Sequence, residues 1–126
     1  MHIQQLVEES EGICRFRFRG DCDLVEATDL IRKALAHCRA RNIPRLLVDG
    51  RSLTGLPIPS LIDRFLMVDE WAQEAGGVIV MVLVVQPQYI HPEKFGVKVA
   101  QDLGFRANVF PDEAEAFAWL SRIKTG

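Results

Sequence analysis

The stretch Val78-Ile79-Val80-Met81-Val82-Leu83-Val84-Val85 decides the fold of this chain. It contains no polar residue, and its valines and isoleucine favour a β-strand. A strand that is apolar on both faces has to be covered on both sides, as in the parallel sheets of α/β proteins. The run is too short to cross a membrane as a helix. We therefore expect residues 78–85 to form the central strand of a sheet covered by helices.

Further strand patterns lie on both sides of this run. Residues 3–7 and 13–19 flank a turn at 9–12 and predict an N-terminal β-hairpin. Residues 44–49 are apolar on both faces, which predicts a second covered parallel strand. Residues 106–110 predict a short final strand.

Four helices are predicted between and after these strands. Asp23 begins a capping-box pattern that opens the first helix, and Ser60 lies at the start of the second. Pro92 suits the first turn of the third helix, and Asp112 caps the last. The order β-β-α-β-α-β-α-β-α predicts an α/β fold in one domain over residues 1–126. That fold is a five-stranded mixed sheet with an N-terminal hairpin, a parallel core, right-handed crossovers and four helices.

Composition excludes several classes of function. Lys and Arg number 15 against 17 Asp and Glu, a formal net charge of −2, so no global positive field attracts nucleic acid. No apolar run is long enough for a membrane span. Cys14, Cys22 and Cys38 show no CxxC spacing, which predicts reduced thiols in a cytoplasmic protein. With three widely spaced histidines and no nucleotide-binding motif, we expect neither a metal site nor a cofactor.

Three arginines alternate along the second strand of the hairpin, namely Arg15, Arg17 and Arg19. Residues two apart share one face of a strand. This face is either a strip that binds an anion or a partner, or the solvated side of the hairpin, with Gln4 and Glu8 as neighbours.

The order of elements and the closing stretch, residues 109–120 with the sequence VFPDEAEAFAWL, resemble the SpoIIAA-like proteins. These belong to the STAS group, named for sulphate transporters and anti-sigma-factor antagonists. The resemblance implies a non-enzymatic regulatory or protein-interaction module, which forms a homodimer or binds another regulatory protein. Because the SpoIIAA-like branch is often grouped with lipid-binding domains, it also allows a carrier of a small apolar ligand or lipid.

The loop after the second covered strand, together with the loop after the central strand, is the candidate ligand or partner site. Ligands of open α/β sheets bind beyond the carboxyl ends of parallel strands. If the two strands are neighbours, six side chains could converge on one rim: Asp49, Arg51, Ser52, Thr54, Tyr89 and His91.

The same resemblance implies a phosphoacceptor in this loop. In the anti-sigma-factor antagonists a partner kinase phosphorylates a serine of Asp-Ser-Ser-Gly, and Thr54-Gly55-Leu56 is the nearest match here to Ser-Gly-Leu. Thr54 or Ser52 is therefore the candidate hydroxyl, although no Asp-Ser-Ser precedes the glycine.

A small hydrolase is a remote alternative, with Ser52, His91 and Asp49 as nucleophile, base and orienting carboxylate. No Gly-x-Ser-x-Gly elbow surrounds Ser52. We therefore expect no catalytic residue and no enzyme activity.

The second helix has an apolar arc wider than one sheet-facing stripe requires. Its excess residues either line a ligand pocket or contact a second subunit, unless the loop at 53–59 covers them in a monomer. The candidate dimer surface consists of Ile62, Leu66, Met67 and Trp71.

Overall fold

A computed structural model of the chain describes residues 3–125, so Met1, His2 and Gly126 of the expected domain lie outside the described residues. The elements follow the predicted order, with a short 3-10 helix, Pro87–Tyr89, before α3. They are β1 (Gln4–Ser10), β2 (Ile13–Asp21), α1 (Leu24–Ala40), β3 (Arg45–Thr54), α2 (Leu61–Ala75), β4 (Val80–Val84), α3 (Phe95–Asp102), β5 (Ala107–Phe110) and α4 (Glu113–Arg122).

The strands form one mixed sheet in the order β1-β2-β3-β4-β5. β1 and β2 are antiparallel, whereas the other neighbouring pairs are parallel. Glu11 and Gly12 join the hairpin with φ values of 55° and 77°, as a two-residue turn with the twist of its strands requires. The prediction of an α/β fold with a five-stranded mixed sheet, an N-terminal hairpin and four helices is confirmed.

The predicted central strand differs from the observed one in length and in position. β4 begins at Val80, because Val78 lies in the turn after α2 with 57% of its surface exposed. β4 is paired on both sides, but β3 is the middle strand. An unbroken apolar run indicates burial on both faces of a strand. All interior strands share this property, so the run could not show whether β3 or β4 is the middle strand.

β3 is longer than predicted and includes most of the expected loop. Its pairing with β2 continues to Asp21 and Thr54, past a register shift at which Phe18 faces both Gly50 and Arg51. The polar, glycine-containing sequence after Asp49 therefore forms a bulged strand.

Helices cover both faces of the sheet. α1, α2 and α3 cover the face that carries Phe16, Val48 and Met81. α4 covers the opposite face, where Leu47 and Val82 lie. We call these the three-helix face and the α4 face.

The helix starts follow their caps, with one exception. Asp23 and Ser60 each form a complete capping box, and the Asp112 side chain caps α4. α3 begins at Phe95 and not at Pro92, since His91 to Lys94 form a turn in which the Lys94 N–H donates to the His91 carbonyl (2.8 Å). Proline has the φ that both a helix start and the second position of a turn require, so the sequence could not separate them. Within residues 3–125, no helix combines the length and apolar content needed to cross a bilayer.

Candidate functional site

The segments that follow β3 and β4 lie against each other. The Gln86 side-chain amide donates to the Arg51 carbonyl (2.9 Å), and the Tyr89 hydroxyl donates to the Leu56 carbonyl (2.8 Å). This contact follows from the parallel pairing of the two strands, whose carboxyl ends meet at one edge of the sheet.

Two of the six candidate side chains, Asp49 and Arg51, belong to an ion-pair network on the α4 face. Arg51 holds Asp49 through two bonds, Nε to Oδ1 (3.0 Å) and Nη2 to Oδ2 (2.8 Å). Arg17 lies 3.7 Å from Asp49 and donates to Glu113 Oε2 at 3.0 Å. Arg15 lies 3.8 Å from Glu113 and over the ring of Phe117. Of the arginines on the hairpin, Arg15 and Arg17 thus anchor the start of α4 to the sheet.

The environment of Asp49 sets its charge. Burial by itself raises the pKa of this carboxyl, but the bonds from the side chain and backbone of Arg51, with the charges of Arg51 and Arg17, outweigh burial. The pKa of Asp49 therefore lies below its usual value. The carboxylate stays ionised and accepts hydrogen bonds, so it is suited to joining β3 to its neighbours.

The two candidate phosphoacceptors are exposed at the end of β3. The Thr54 hydroxyl donates to Asp21 Oδ1 at 3.1 Å, whereas Ser52 pairs with Arg19 of β2 in the sheet. Gly55 has φ +83°, and a Cβ there would collide with the Asp21 carboxylate. A phosphate on Thr54 would face the same carboxylate, so like charges would oppose it.

The other two candidates, Tyr89 and His91, lie on the three-helix face. Both line a cavity between the sheet and its helices, and the His91 ring lies 6.1 Å from that of Phe95. The expectation that the six side chains share one rim is therefore wrong, because the sheet separates Asp49 and Arg51 from Tyr89 and His91. No hydrogen bond joins Ser52, Asp49 and His91, so these residues do not assemble as a catalytic triad.

The cavity has a volume of about 150 Å3. Apolar side chains from the sheet and all three covering helices form most of its wall, among them Ile31, Val48, Met67, Val68 and Leu83. Its polar lining is confined to a few residues, including Arg64, Tyr89, His91 and Lys94. An apolar body with a small number of polar groups is typical of small-molecule sites, but the volume is below the roughly 300–1,000 Å3 of sites for drug-sized ligands.

Two of the four residues predicted for the dimer surface are exposed. Ile62 and Leu66 are exposed by 72% and 57%. Met67 lines the cavity, and Trp71 is only 4% exposed, with its indole N–H donating to the Thr28 carbonyl at 3.0 Å. The expectation that Met67 and Trp71 face outward is wrong, because α2 packs against both α1 and α3.

The exposed apolar residues on and before α2 form a stripe that sequence reasoning outlined only in part. Four of its members lie in α2 with the spacing i, i+1, i+4, i+5, which places them on one side of the helix, and the fifth lies two residues before the Ser60 N-cap. We call this set the outer stripe: Ile58, Leu61, Ile62, Phe65 and Leu66. The spacing was visible in the sequence, but a second apolar face cannot be told from the first until the packing partners are known.

A second cluster was missed because one member, His37, is distant in the sequence from the other two, which pair across the hairpin. Ligand atoms of Glu9, Cys14 and His37 lie within 4.8 Å of one another, a grouping that could hold a metal ion. However, both Glu9 oxygens are engaged by Arg41, and His37 lies 3.3 Å from one of them. Burial raises the pKa of the Cys14 thiol, which opposes the thiolate that a metal requires. The cluster is better described as an ion-pair group that closes the hairpin onto α1.

The strand order and helix placement define the class of SpoIIAA-like α/β folds, and solved structures show the same architecture. An anti-sigma-factor antagonist from Mycobacterium paratuberculosis matches 95% of both chains with a TM-score of 0.62 at 19% identity. SpoIIAA in its unphosphorylated form matches with a TM-score of 0.54 at 16% identity, over 95% of this chain and 100% of its own. An uncharacterised protein from Shewanella loihica with a SpoIIAA-like fold gives 0.51 at 19% identity, over 94% of this chain and 93% of its own. No family model and no curated protein sequence matches the chain. The SpoIIAA-like fold implied by the sequence is thus confirmed.

Proposed function

We propose that this chain is a non-enzymatic, STAS-like regulatory module that works through protein contact and forms a homodimer through α2. The outer stripe is the observation that carries the proposal. Full burial of one such side chain contributes about 1.5–3 kcal/mol. A contiguous set left in water therefore favours a covering surface.

A second copy of the chain is the partner that best fits the charges around the outer stripe. The acidic residues further along α2, Glu70 and Glu74, lie 3.4 Å from nitrogens of Arg32 on α1, and Asp63 is held in the capping box of Ser60. Arg32 offsets part of the charge of Glu70 and Glu74, which lowers the repulsion between two copies. Twofold pairing is also the commonest form of self-association.

The magnitudes indicate a dimer of modest affinity. Ten side chains from two copies, each already partly buried, would contribute roughly 10 kcal/mol. Association costs about 4–15 kcal/mol in lost freedom of motion. The surplus is at most about 6 kcal/mol, so we expect a concentration-dependent dimer with a Kd of tens of micromolar or higher.

Sedimentation velocity across that range tests the dimer. The wild-type chain is expected to shift with concentration from 14.2 kDa towards twice that mass. Ile62→Glu and Leu66→Glu should each hold it at the monomer mass. Val78→Glu is the matched control, because Val78 is as exposed as Leu66 but lies beyond the opposite end of α2. A monomer at every concentration, or a dimer that survives both stripe variants, would refute this interface.

The residues also support the proposals on enzyme activity and location. Since Ser52, Asp49 and His91 do not assemble, hydrolysis of activated esters is expected to be unchanged by Ser52→Ala. Cys14, Cys22 and Cys38 are free and buried, which supports a reducing, cytoplasmic environment.

A carrier of a small apolar ligand is the second candidate, and the cavity on the three-helix face favours it. A neutral probe of benzene size, benzyl alcohol, tests it by two-dimensional NMR. Binding should shift the amide signals of lining residues such as Val48 and Leu83 but not those of β1. In Gly96→Leu the shifts should disappear, because a Cβ at Gly96 meets only Val68 Cγ2, at 3.6 Å, and a larger side chain can enter the cavity.

A further inference from the structure

We infer that the cavity on the three-helix face takes a small amphipathic anion, a monocarboxylate with a compact apolar body whose head group is bound by Arg64. The inference rests on the second candidate function, the carrying of a small ligand in this cavity, and names the chemical class of that ligand.

Volume limits the apolar body of the ligand. The cavity measures about 150 Å3, and an apolar protein cavity of about this volume holds one benzene molecule. A long acyl chain would extend beyond the cavity, and its remainder would lie outside the apolar wall. The ligand body is therefore a single ring or a short branched chain.

The charged residues of the lining have one sign. Arg64 and Lys94 line the cavity together with the imidazole of His91, whereas the described lining contains no aspartate or glutamate. An apolar space bordered only by basic groups favours an anion over a neutral or cationic molecule of the same shape. The bulk charge of the chain is negative, so this local excess of basic groups does not reflect composition.

Arg64 is the basic group best placed to hold the head group. Nη1 donates to the Tyr89 carbonyl at 3.0 Å, which fixes the side chain between α2 and the segment after β4. Within residues 3–125 this is the one hydrogen bond that the Arg64 side chain makes to protein, and no carboxylate forms an ion pair with it. A guanidinium has five N–H donors, so several remain for a ligand. Burial lowers the pKa of Arg64, consistent with a partly desolvated cation that lacks an acidic neighbour.

Lys94 and His91 already have hydrogen-bond partners in the protein, so we assign them a secondary role in binding the head group. Lys94 Nζ donates to Asn108 Oδ1 at 2.9 Å and lies over the ring of Phe110. His91 Nδ1 accepts the N–H of Glu93, which leaves Nε2 to carry the hydrogen in the neutral ring. Lys94 also has φ +51°, an uncommon conformation for a residue with a side chain, and such residues concentrate at ligand sites.

The test compares three ring compounds by NMR titration: benzoate, benzyl alcohol and benzylammonium. A charged hydrogen-bonded pair at Arg64 should make benzoate bind about tenfold to a hundredfold more tightly than the alcohol. Benzylammonium should bind most weakly. Arg64→Met should bring the affinity for benzoate down to that for the alcohol and leave the alcohol unchanged.

Two further variants keep the test decisive. Arg64→Lys retains the charge and should keep part of the preference for benzoate even if Arg64→Met folds poorly. Lys98→Met, exposed on α3 and outside the lining, should change nothing. Equal binding of benzoate and the alcohol would overturn the anion assignment but leave the carrier function standing. Failure of all three compounds to bind would refute both.

Discussion

Asp49 shows how a candidate site residue can have a structural role. At the end of a predicted strand it could either face a ligand or accept N–H bonds from the turn that follows, and the Arg51 N–H does donate to its Oδ1 at 3.1 Å. In the structure it is 8% exposed and faces Arg51 and Arg17 beneath the start of α4. Its charge is balanced inside the chain, so its effect is on stability.

Asp49→Asn is expected to lower the free energy of unfolding at neutral pH by about 1.5–3 kcal/mol, because it weakens hydrogen bonds between charged groups. The pKa of Asp49 is lowered in the folded state. The stabilisation by its charge is therefore complete above the unfolded pKa of about 3.9 and is lost as the pH falls through the folded pKa. Urea denaturation at a series of pH values should show wild type and variant converging in acid.

Asp102→Asn is the control for this prediction, since Asp102 is exposed at the end of α3. Its effect should stay within about 0.5 kcal/mol at every pH. A difference between wild type and Asp49→Asn that persisted unchanged into strong acid would show that the Asp49 charge contributes nothing to folding.

At the scale of the element, α2 combines two apolar faces with different partners. One face, with Val68 and Trp71, packs into the core and onto α1, while the outer stripe is left to solvent. A single helix thus borders the ligand cavity and carries the proposed dimer surface. Ligand binding and self-association would then both depend on where α2 begins and how firmly its first turn is held.

Ser60→Ala is expected to destabilise the fold by about 1 kcal/mol, because it removes the acceptor for the Asp63 N–H, 3.0 Å away, at the first turn of α2. Thermal or urea unfolding measures the change. Ser60→Asp should retain most of the stability, since aspartate is also a good N-cap. Ser121→Ala, an exposed serine inside α4, is the matched control and should be neutral or slightly stabilising. Equal effects of the two alanine substitutions would exclude a capping role.

At the scale of the whole molecule, stability should fall from the middle of the sheet towards the hairpin edge. β4 is buried on both faces, whereas every residue of β1 is exposed and β1 has one neighbour in the sheet. Local opening is easiest where few apolar contacts hold an element.

Native-state hydrogen exchange can measure this gradient. The amides of β4 should exchange only through global unfolding, and those amides of β1 that bond to β2 should exchange faster through local opening. The comparison is restricted to amides with a partner in the sheet, so that unpaired edge groups do not enter. Equal protection in β1 and β4 would show that the hairpin unfolds together with the rest of the sheet.

The sequence by itself determined the order of the elements, the capped starts of α1, α2 and α4, and the presence of interior strands. Each of these depends on neighbours along the chain: a capping box spans four residues, and an apolar run reports burial of its own side chains. The extension of β3 beyond Asp49 could not be predicted from neighbouring residues. It depends on pairing with β2, which outweighs the local preference of a polar, glycine-containing sequence.

Only the tertiary structure decided which residues meet. It separated Asp49 from His91 across the sheet, brought Glu9 to Cys14 and His37, and turned Trp71 inward. Periodicity says that a side chain is covered, but the element that covers it is set by how helices pack on a twisted sheet. The cavity beside Arg64 is a product of that packing, so no local pattern could have revealed it.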